Sequence, residues 1–464
     1  MLSIILERSL SCANKILTWN NVIKFEIRNN LEYQNPNDRN GIMPWIVRHS
    51  KAVFVIGAFE FCICFVLRIS KFEFIISSWC LYQVSALNLD KRISNMSIKH
   101  LEEYRDSALS RQLLEKIEKF SQKEVRLMEV CGTHTVSIFR AGIRSLLPDT
   151  IALLSGPGCP VCVTDQREID AFIELCKIDD VILTTFGDLM RVPGTKTSLQ
   201  KERADGRDIR IVYSTMDAVE IAFKNPAKKV VFLGVGFETT APTIAAAMIS
   251  ARQMKLENFF VYSAHKLVPP ALDALMSMDQ VKIDGFILPG HVSVIIGVSA
   301  YQPFFDKYQI PCVVAGFEPV DILQAVSMLA QQIETGTPKL ENAYGRAVTT
   351  AGNRKAQKIL MDVFEPADVA WRGIGPIPQS GLKIKPNYGA CDAEAMFDIR
   401  LPVSQDPKGC ACGEILTGTK IPPDCPLFKK ACTPIDPVGP CMVSSEGTCA
   451  AYYRYHSESD SNAV

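Results

Sequence analysis

The sequence predicts an α/β protein: two parallel-sheet α/β domains followed by a small Pro/Gly/Cys-rich iron-sulfur domain. Three observations carry this. From Met96 onward, short β-branched runs alternate with helical stretches, the rhythm of successive βα units. The runs are apolar throughout, as suits strands buried on both faces of a sheet. After Trp371 the chain turns rich in Pro, Gly and Cys, and six of its 16 cysteines lie between Cys410 and Cys449. Pro and Gly at that density argue against long regular elements, so something other than a large apolar core must hold that end together.

The 464 residues suggest two to four domains at about 150 residues each. Residues 1–95 read as a non-native or disordered extension, rich in Phe, Ile and Trp and without βα punctuation. Their apolar run, residues 52–67, spans 16 residues with Glu60 inside it. A spanning helix needs about 20, so no membrane anchor is expected. Met96 opens a patterned amphipathic segment and is the expected start. The strands that follow are RLMEV, TIALLS, VILTTF, IRIVYS, VVFLGV, FFVYSA, GFILPG and CVVAGF. Helices such as residues 165–177 and 319–334 separate them. The expected division is a first α/β domain over 96–220, a second over 221–340 and the cluster domain over 341–464.

Lys plus Arg equals Asp plus Glu at 50 each, which leaves no electrostatic footprint for nucleic acid or anionic lipid. The N-terminus has a short apolar run broken by Glu7 and Arg8, unlike an export signal. Cysteines at short spacings in a reducing compartment point to metal ligands or redox pairs rather than disulfide staples.

Ligands of open α/β sheets gather beyond the carboxyl ends of the strands. There this sequence places Cys131 and His134, Cys159 and Cys162, Asp188, Glu238, His265 and Lys266, His291 and Glu318. The succession predicts one shared cleft. Cys131 and His134 pair a soft thiolate with an imidazole, a set suited to iron or zinc, and a thiol at a helix N-terminus is expected to be acidified. Cys159-Pro-Val-Cys162 has no second C-x-x-C after it, which favours a reversible dithiol/disulfide over a zinc knuckle. The stretch Gly-Val-Gly-Phe-Glu-Thr from Gly234 lacks the third glycine of a dinucleotide fingerprint and the Gly-Lys-Ser/Thr of a P-loop, so nucleotide binding is not expected.

In the tail, Cys410, Cys425, Cys432 and Cys449 give C-x14-C-x6-C-x16-C, four thiolates of the kind an iron-sulfur cluster needs. Cys412 and Cys441 are left as a dithiol beside it. Cys410 and Cys412 stand only two residues apart, and spacing alone leaves open which is the ligand. Zinc is the main rival, although the paired knuckles of zinc ribbons are absent. Cys176, Cys312 and Cys391 stand alone and read as ordinary buried thiols.

The stretches MEVCGTHT, SGPGCPVC, TTFGDLMRVPG, VGFETTAP, SAHKLVPPA, DGFILPGHVS, AGFEPVDIL and the tail from CACGEILTG to GPCMVSSEGTCAAYYRY together resemble the HypD family of hydrogenase maturation factors. The likeness covers residues 96–455. It departs at Thr215, where the family pattern would have Pro. The resemblance implies a cytoplasmic protein that assembles the iron centre of nickel-iron hydrogenases with its cyanide and carbon monoxide ligands. It implies as partners a HypC-type small chaperone and a HypE-type cyanide donor. By the same likeness Cys131, with His134 nearby, binds the iron being assembled, and Cys159 and Cys162 are the redox pair of the cleft. Cys410, Cys425, Cys432 and Cys449 hold a 4Fe-4S cluster, with Cys412 and Cys441 relaying its electrons. A stand-alone disulfide reductase and a zinc-bound scaffold are the readings of other classes.

Overall fold

The computed structural model describes residues 107–456, all within one compact unit, Met96–Val464. The expected extension, 1–95, lies outside the described residues. Among those described, no helix is long and apolar enough to cross a membrane.

All eight runs form strands: β1 Val125–Glu129, β2 Ile151–Ser155, β3 Val181–Thr185, β4 Ile209–Ile211, β5 Lys229–Gly234, β6 Phe259–Ser263, β7 Gly285–Pro289 and β8 Cys312–Ala315. Three more follow: β9 Leu340–Asn342, β10 Phe364–Trp371 and β11 Gly375–Ile384. Two parallel sheets result, ordered β2-β1-β7-β8-β9 and β4-β3-β5-β6. The α/β class is as expected, but the division near residue 220 is replaced by an interleaved one. After β2 the chain leaves to build the whole second sheet, then returns so that β7 pairs with β1. Strand pairing is non-local, and nothing in the local pattern of β3 or β4 says which sheet it will join.

Each sheet is covered on both faces. Outside the five-stranded sheet, the helices Ser107–Lys119 and Pro319–Thr335 pack Leu113, Ile117, Ile322 and Val326 onto Leu127, Ile287 and Val313. The helices Thr215–Lys224, Ala241–Gln253 and Arg354–Val363 cover the outer face of the other sheet. The inner faces share one core with the tail, where Met128, Leu154, Leu183, Leu233 and Phe286 meet Ile415 and Met442. Caps fix the helix starts. Asp165 accepts from the Arg167 N–H at 2.9 Å while Glu168 accepts from the Asp165 N–H at 2.9 Å, a capping box that stabilises the first turn by about 1 kcal/mol. Ser214 and Asp217 do the same before Thr215, so the departure from the family pattern falls on the first residue of a well-capped helix.

The Pro/Gly-rich stretch is more regular than its composition suggests. β10 and β11 form an antiparallel hairpin, bulged between Ala367 and Val369. Its prolines, Pro366, Pro376 and Pro378, fall away from the isolated bridges that the outer edges make at Trp371 and Gly381, where a missing N–H costs little.

Candidate functional site

In both sheets the strand order reverses once, between β1 and β7 in the first and between β3 and β5 in the second. Crevices open at such switch points. The carboxyl ends of β1 and β7 carry Cys131 and His291, and those of β3 and β5 carry Asp188 and Glu238.

Cys131 caps the helix Gly132–Arg140. Its N–H donates to Glu129 Oε2 at 2.9 Å, and the Thr135 hydroxyl donates to the other oxygen of the same carboxyl. Burial pushes Glu129 up to about 8. The expected acidification of Cys131 is overturned. Burial, with the nearby Glu446 carboxylate next, pushes its thiol up to about 12, and the N–H groups of His134 and Thr133 at the helix start pull the other way and lose. Without a metal this is a protonated thiol. A coordinating metal ion would displace that proton outright.

His134 is fully buried and its Nε2 lies 2.8 Å from the Gly316 carbonyl. A carbonyl only accepts, so Nε2 carries the hydrogen and Nδ1 is left with a bare lone pair. That Nδ1 is buried with no hydrogen-bond partner. The His134 ring stacks on Phe317 at 4.7 Å, and His291 stacks on Phe317 at 3.8 Å. Burial lowers both imidazoles to about 4, with the His291 charge adding to the effect at His134. Both are neutral at physiological pH and able to serve as ligands.

Cys159 and Cys162 are joined by a disulfide across the short helix Pro160–Val163. This turn lies against the Cys131 loop, with the Gly132 N–H donating to the Gly158 carbonyl at 2.9 Å. A Cβ on Gly158 would fall 2.1 Å from the Cys131 nitrogen, so only glycine allows that approach.

The tail closes over both loops. The Thr133 hydroxyl donates to Glu446 Oε1 at 2.8 Å, and Tyr452 packs on Phe139 at 4.5 Å. The helix Pro440–Val443, which carries Cys441, packs on the Pro160–Val163 helix. Cys410, Cys412, Cys425, Cys432, Cys441 and Cys449 all line one cavity with Ile415, Phe428 and Met442. Cys412 Sγ and Cys441 Sγ are 3.1 Å apart. Burial, with the neighbouring thiols adding to it, holds the Cys449 thiol well above its usual range. Among the described residues, no three His, Cys, Asp or Glu side chains converge as they would on a single ion. The thiols surround a space instead, a donor set suited to a larger, soft-metal group.

The remaining expected residues are placed differently. Asp188 is exposed and accepts from the Ser444 hydroxyl at 3.3 Å. His265 is buried against Phe364, with Nδ1 2.9 Å from Ser263 Oγ, and shares none of these contacts with the Cys131 group. Lys266 is held by Glu168 at 2.7 Å, and Glu318 caps the helix Pro319–Thr335. Cys176 and Cys312 are buried in the core as expected, whereas Cys391 is only half-buried. Phe317, Glu446 and Tyr301 carried no expectation. Phe317 follows a strand end already marked by Glu318, and Glu446 lies in the tail motif, so both stood beside legible signals.

Glu238 is buried, accepts the Val268 N–H on Oε1 at 2.9 Å and has no partner for Oε2. Tyr301 is fully buried, with its hydroxyl 3.0 Å from Ser293 Oγ. Burial raises Glu238 from 4.5 to about 7. The folded chain therefore keeps a proton that the unfolded chain has released, and stability from this residue falls as pH rises from 4.5 through 7. Glu238→Gln retains an acceptor for Val268 and removes the charge. In paired thermal melts from pH 5 to 8, the variant should gain on the natural protein by on the order of 3 kcal/mol across the window from 4.5 to 7. An unchanged difference would show that the carboxyl does not titrate there.

The HypD family, described as "Hydrogenase formation hypA family", matches residues 108–456. The chain is 45% identical to hydrogenase maturation factor HypD2 of Bradyrhizobium diazoefficiens, over 77% of this chain and 97% of that protein. It is 45% identical to hydrogenase maturation factor HypD of Rhizobium leguminosarum bv. viciae, over 77% and 96%. With that of Cupriavidus necator the identity is 43% over 77% and 97%. The motifs at Cys131, at Cys159 and Cys162 and around the six tail thiols lie inside the matched span, and the chain belongs to the HypD family of hydrogenase formation proteins.

Proposed function

We propose that this chain is a redox-active assembly protein, not a turnover enzyme on a free substrate, that builds the iron centre of nickel-iron hydrogenases with its cyanide and carbon monoxide ligands. The observation that carries the reading is the cleft itself: a buried thiol and a partnerless imidazole nitrogen beside a disulfide, closed by a tail whose six thiols line one cavity. Cys131 Sγ and His134 Nδ1 receive the iron cargo, and His291 supports it across Phe317. A HypC-type small chaperone and a HypE-type cyanide donor are the partners, and the compartment is cytoplasmic.

The donor chemistry of the cavity fits a 4Fe-4S cluster held by Cys410, Cys425, Cys432 and Cys449, which supplies single electrons when bound. Cys412 and Cys441 are already close enough to pair. Thiol-disulfide exchange between them and Cys159–Cys162 reduces the cleft disulfide to two thiols and leaves Cys412 and Cys441 bonded, so two electrons and two protons change hands. The packing of the Pro440–Val443 helix on the Pro160–Val163 helix supports that route.

Cys412→Ser tests it. The variant should keep the cluster absorbance while hydrogenase maturation in a host lacking the natural protein fails. Normal maturation would remove the relay. A stand-alone disulfide reductase uses the same thiols but gives no task to Cys131 and His134. Reduction of a disulfide substrate to its dithiol by the chain without partners would favour it.

A further inference from the structure

One buried cation stands between the two cysteine groups. Arg372 is only 2% exposed. Its N–H donates to the Val163 carbonyl at 2.9 Å and its Nε to the Thr164 carbonyl at 2.9 Å, which anchors it to the end of the helix carrying Cys162. The next residue, Gly373, meets the turn carrying Cys412 so closely that a Cβ there would lie 2.3 Å from Gly413 Cα. Nη1 donates to Gln166 Oε1 at 2.7 Å and Asp406 Oδ1 at 2.9 Å, while Nη2 is buried without a partner. Its charge lies within electrostatic reach of Cys410, Cys412 and Cys441.

A guanidinium cannot shed its charge in a protein, and burying one is costly unless something repays it. Asp406 is 63% exposed, so water screens much of its compensation. On the other side Gly373 abuts the turn carrying Cys412, where a centre bound by the tail thiolates would supply the remaining counter-charge. We propose that Arg372 is a positioning residue that sets the reduction potential of the centre held by the tail cysteines, favouring its more negative, reduced form. This rests on the cluster reading above. Cluster potentials respond to net charge and nearby hydrogen bonds, and a fixed cation raises them.

The test is an anaerobic redox titration of the full chain, followed by cluster absorbance, on the natural protein and three variants. Arg372→Gln should lower the midpoint, cutting the reduced-to-oxidised ratio at a fixed poise about tenfold, which is about 59 mV for one electron. Arg372→Lys keeps the charge and should stay near the natural value, although it loses the fork of hydrogen bonds. Asp406→Asn, at an exposed position, removes the opposing charge and should move the midpoint the other way by a smaller amount. A merely structural Arg372 would lower the melting temperature in both Arg372 variants without this pattern of signs. Clusters present at an unchanged midpoint in Arg372→Gln would overturn the inference and leave the cluster reading standing. A natural protein without cluster absorbance would overturn the cluster reading itself, and the inference with it.

Discussion

Cys131→Ser is expected to keep the fold and the cluster absorbance and to lose the iron cargo. The backbone contacts of the loop survive the change, because the Cys131 N–H still meets Glu129 and the Gly132 N–H still meets Gly158. A single-atom swap in such a site costs about 1 kcal/mol. Ligand chemistry changes far more. The thiol, pushed up to about 12 by burial, is a neutral group that becomes a soft anionic ligand when a metal displaces its proton. A hydroxyl in the same place is a harder, far weaker donor for iron carrying soft ligands. Loss of an outer partner of a metal ligand already costs 10–100-fold, so loss of the ligand should lower maturation by at least about 100-fold. Hydrogenase activity in complemented cells, with infrared bands of bound cyanide and carbon monoxide in the purified protein, checks it. Bands of normal intensity in the variant would move the cargo site elsewhere.

Cys425→Ser should have the largest structural effect. Cys425 lies in the cavity wall between Gly409, whose carbonyl it approaches, and Phe428. The described tail has few long elements, since its helices around the cysteines run only four to eight residues. Metal binding in such a segment is folding energy. Losing it should cost at least about 3 kcal/mol, the scale of removing a native disulfide. The damage should also reach the cleft, because the same tail places Glu446 on Thr133. Cys176→Ser, in the helix Gln166–Lys177, is the control and should leave the absorbance intact. Equal melting temperatures for the two variants would mean that the tail does not depend on what its thiols bind.

Much of this was legible in the sequence. Eight strands and the polar residues at seven of their ends were readable, because buried parallel strands announce themselves as apolar runs and βα units put their ligands at one end. The sharing-out of strands was not, since β7 finds β1 across more than a hundred intervening residues. The hairpin of β10 and β11 was hidden by prolines that matter little away from its edge bridges. Cys131 was misjudged in one respect: the helix start acts on it as expected, but burial and the Glu446 carboxylate act more strongly. Neither influence can be read before the tail has folded back. Arg372 was hidden for the same reason, its partners lying on residues 163–166 and at Asp406.

The most direct test of the account is a Mössbauer spectrum, with iron and sulfide analysis, of the anaerobically purified full chain beside Cys425→Ser and Cys412→Ser. Four sulfides per chain, and the spectrum of a 4Fe-4S cluster alongside any cargo iron at Cys131, are expected in the natural chain and in Cys412→Ser, with loss of sulfide and cluster in Cys425→Ser. Zinc in place of iron, or a cluster destroyed by the Cys412 change and untouched by the Cys425 change, would contradict it.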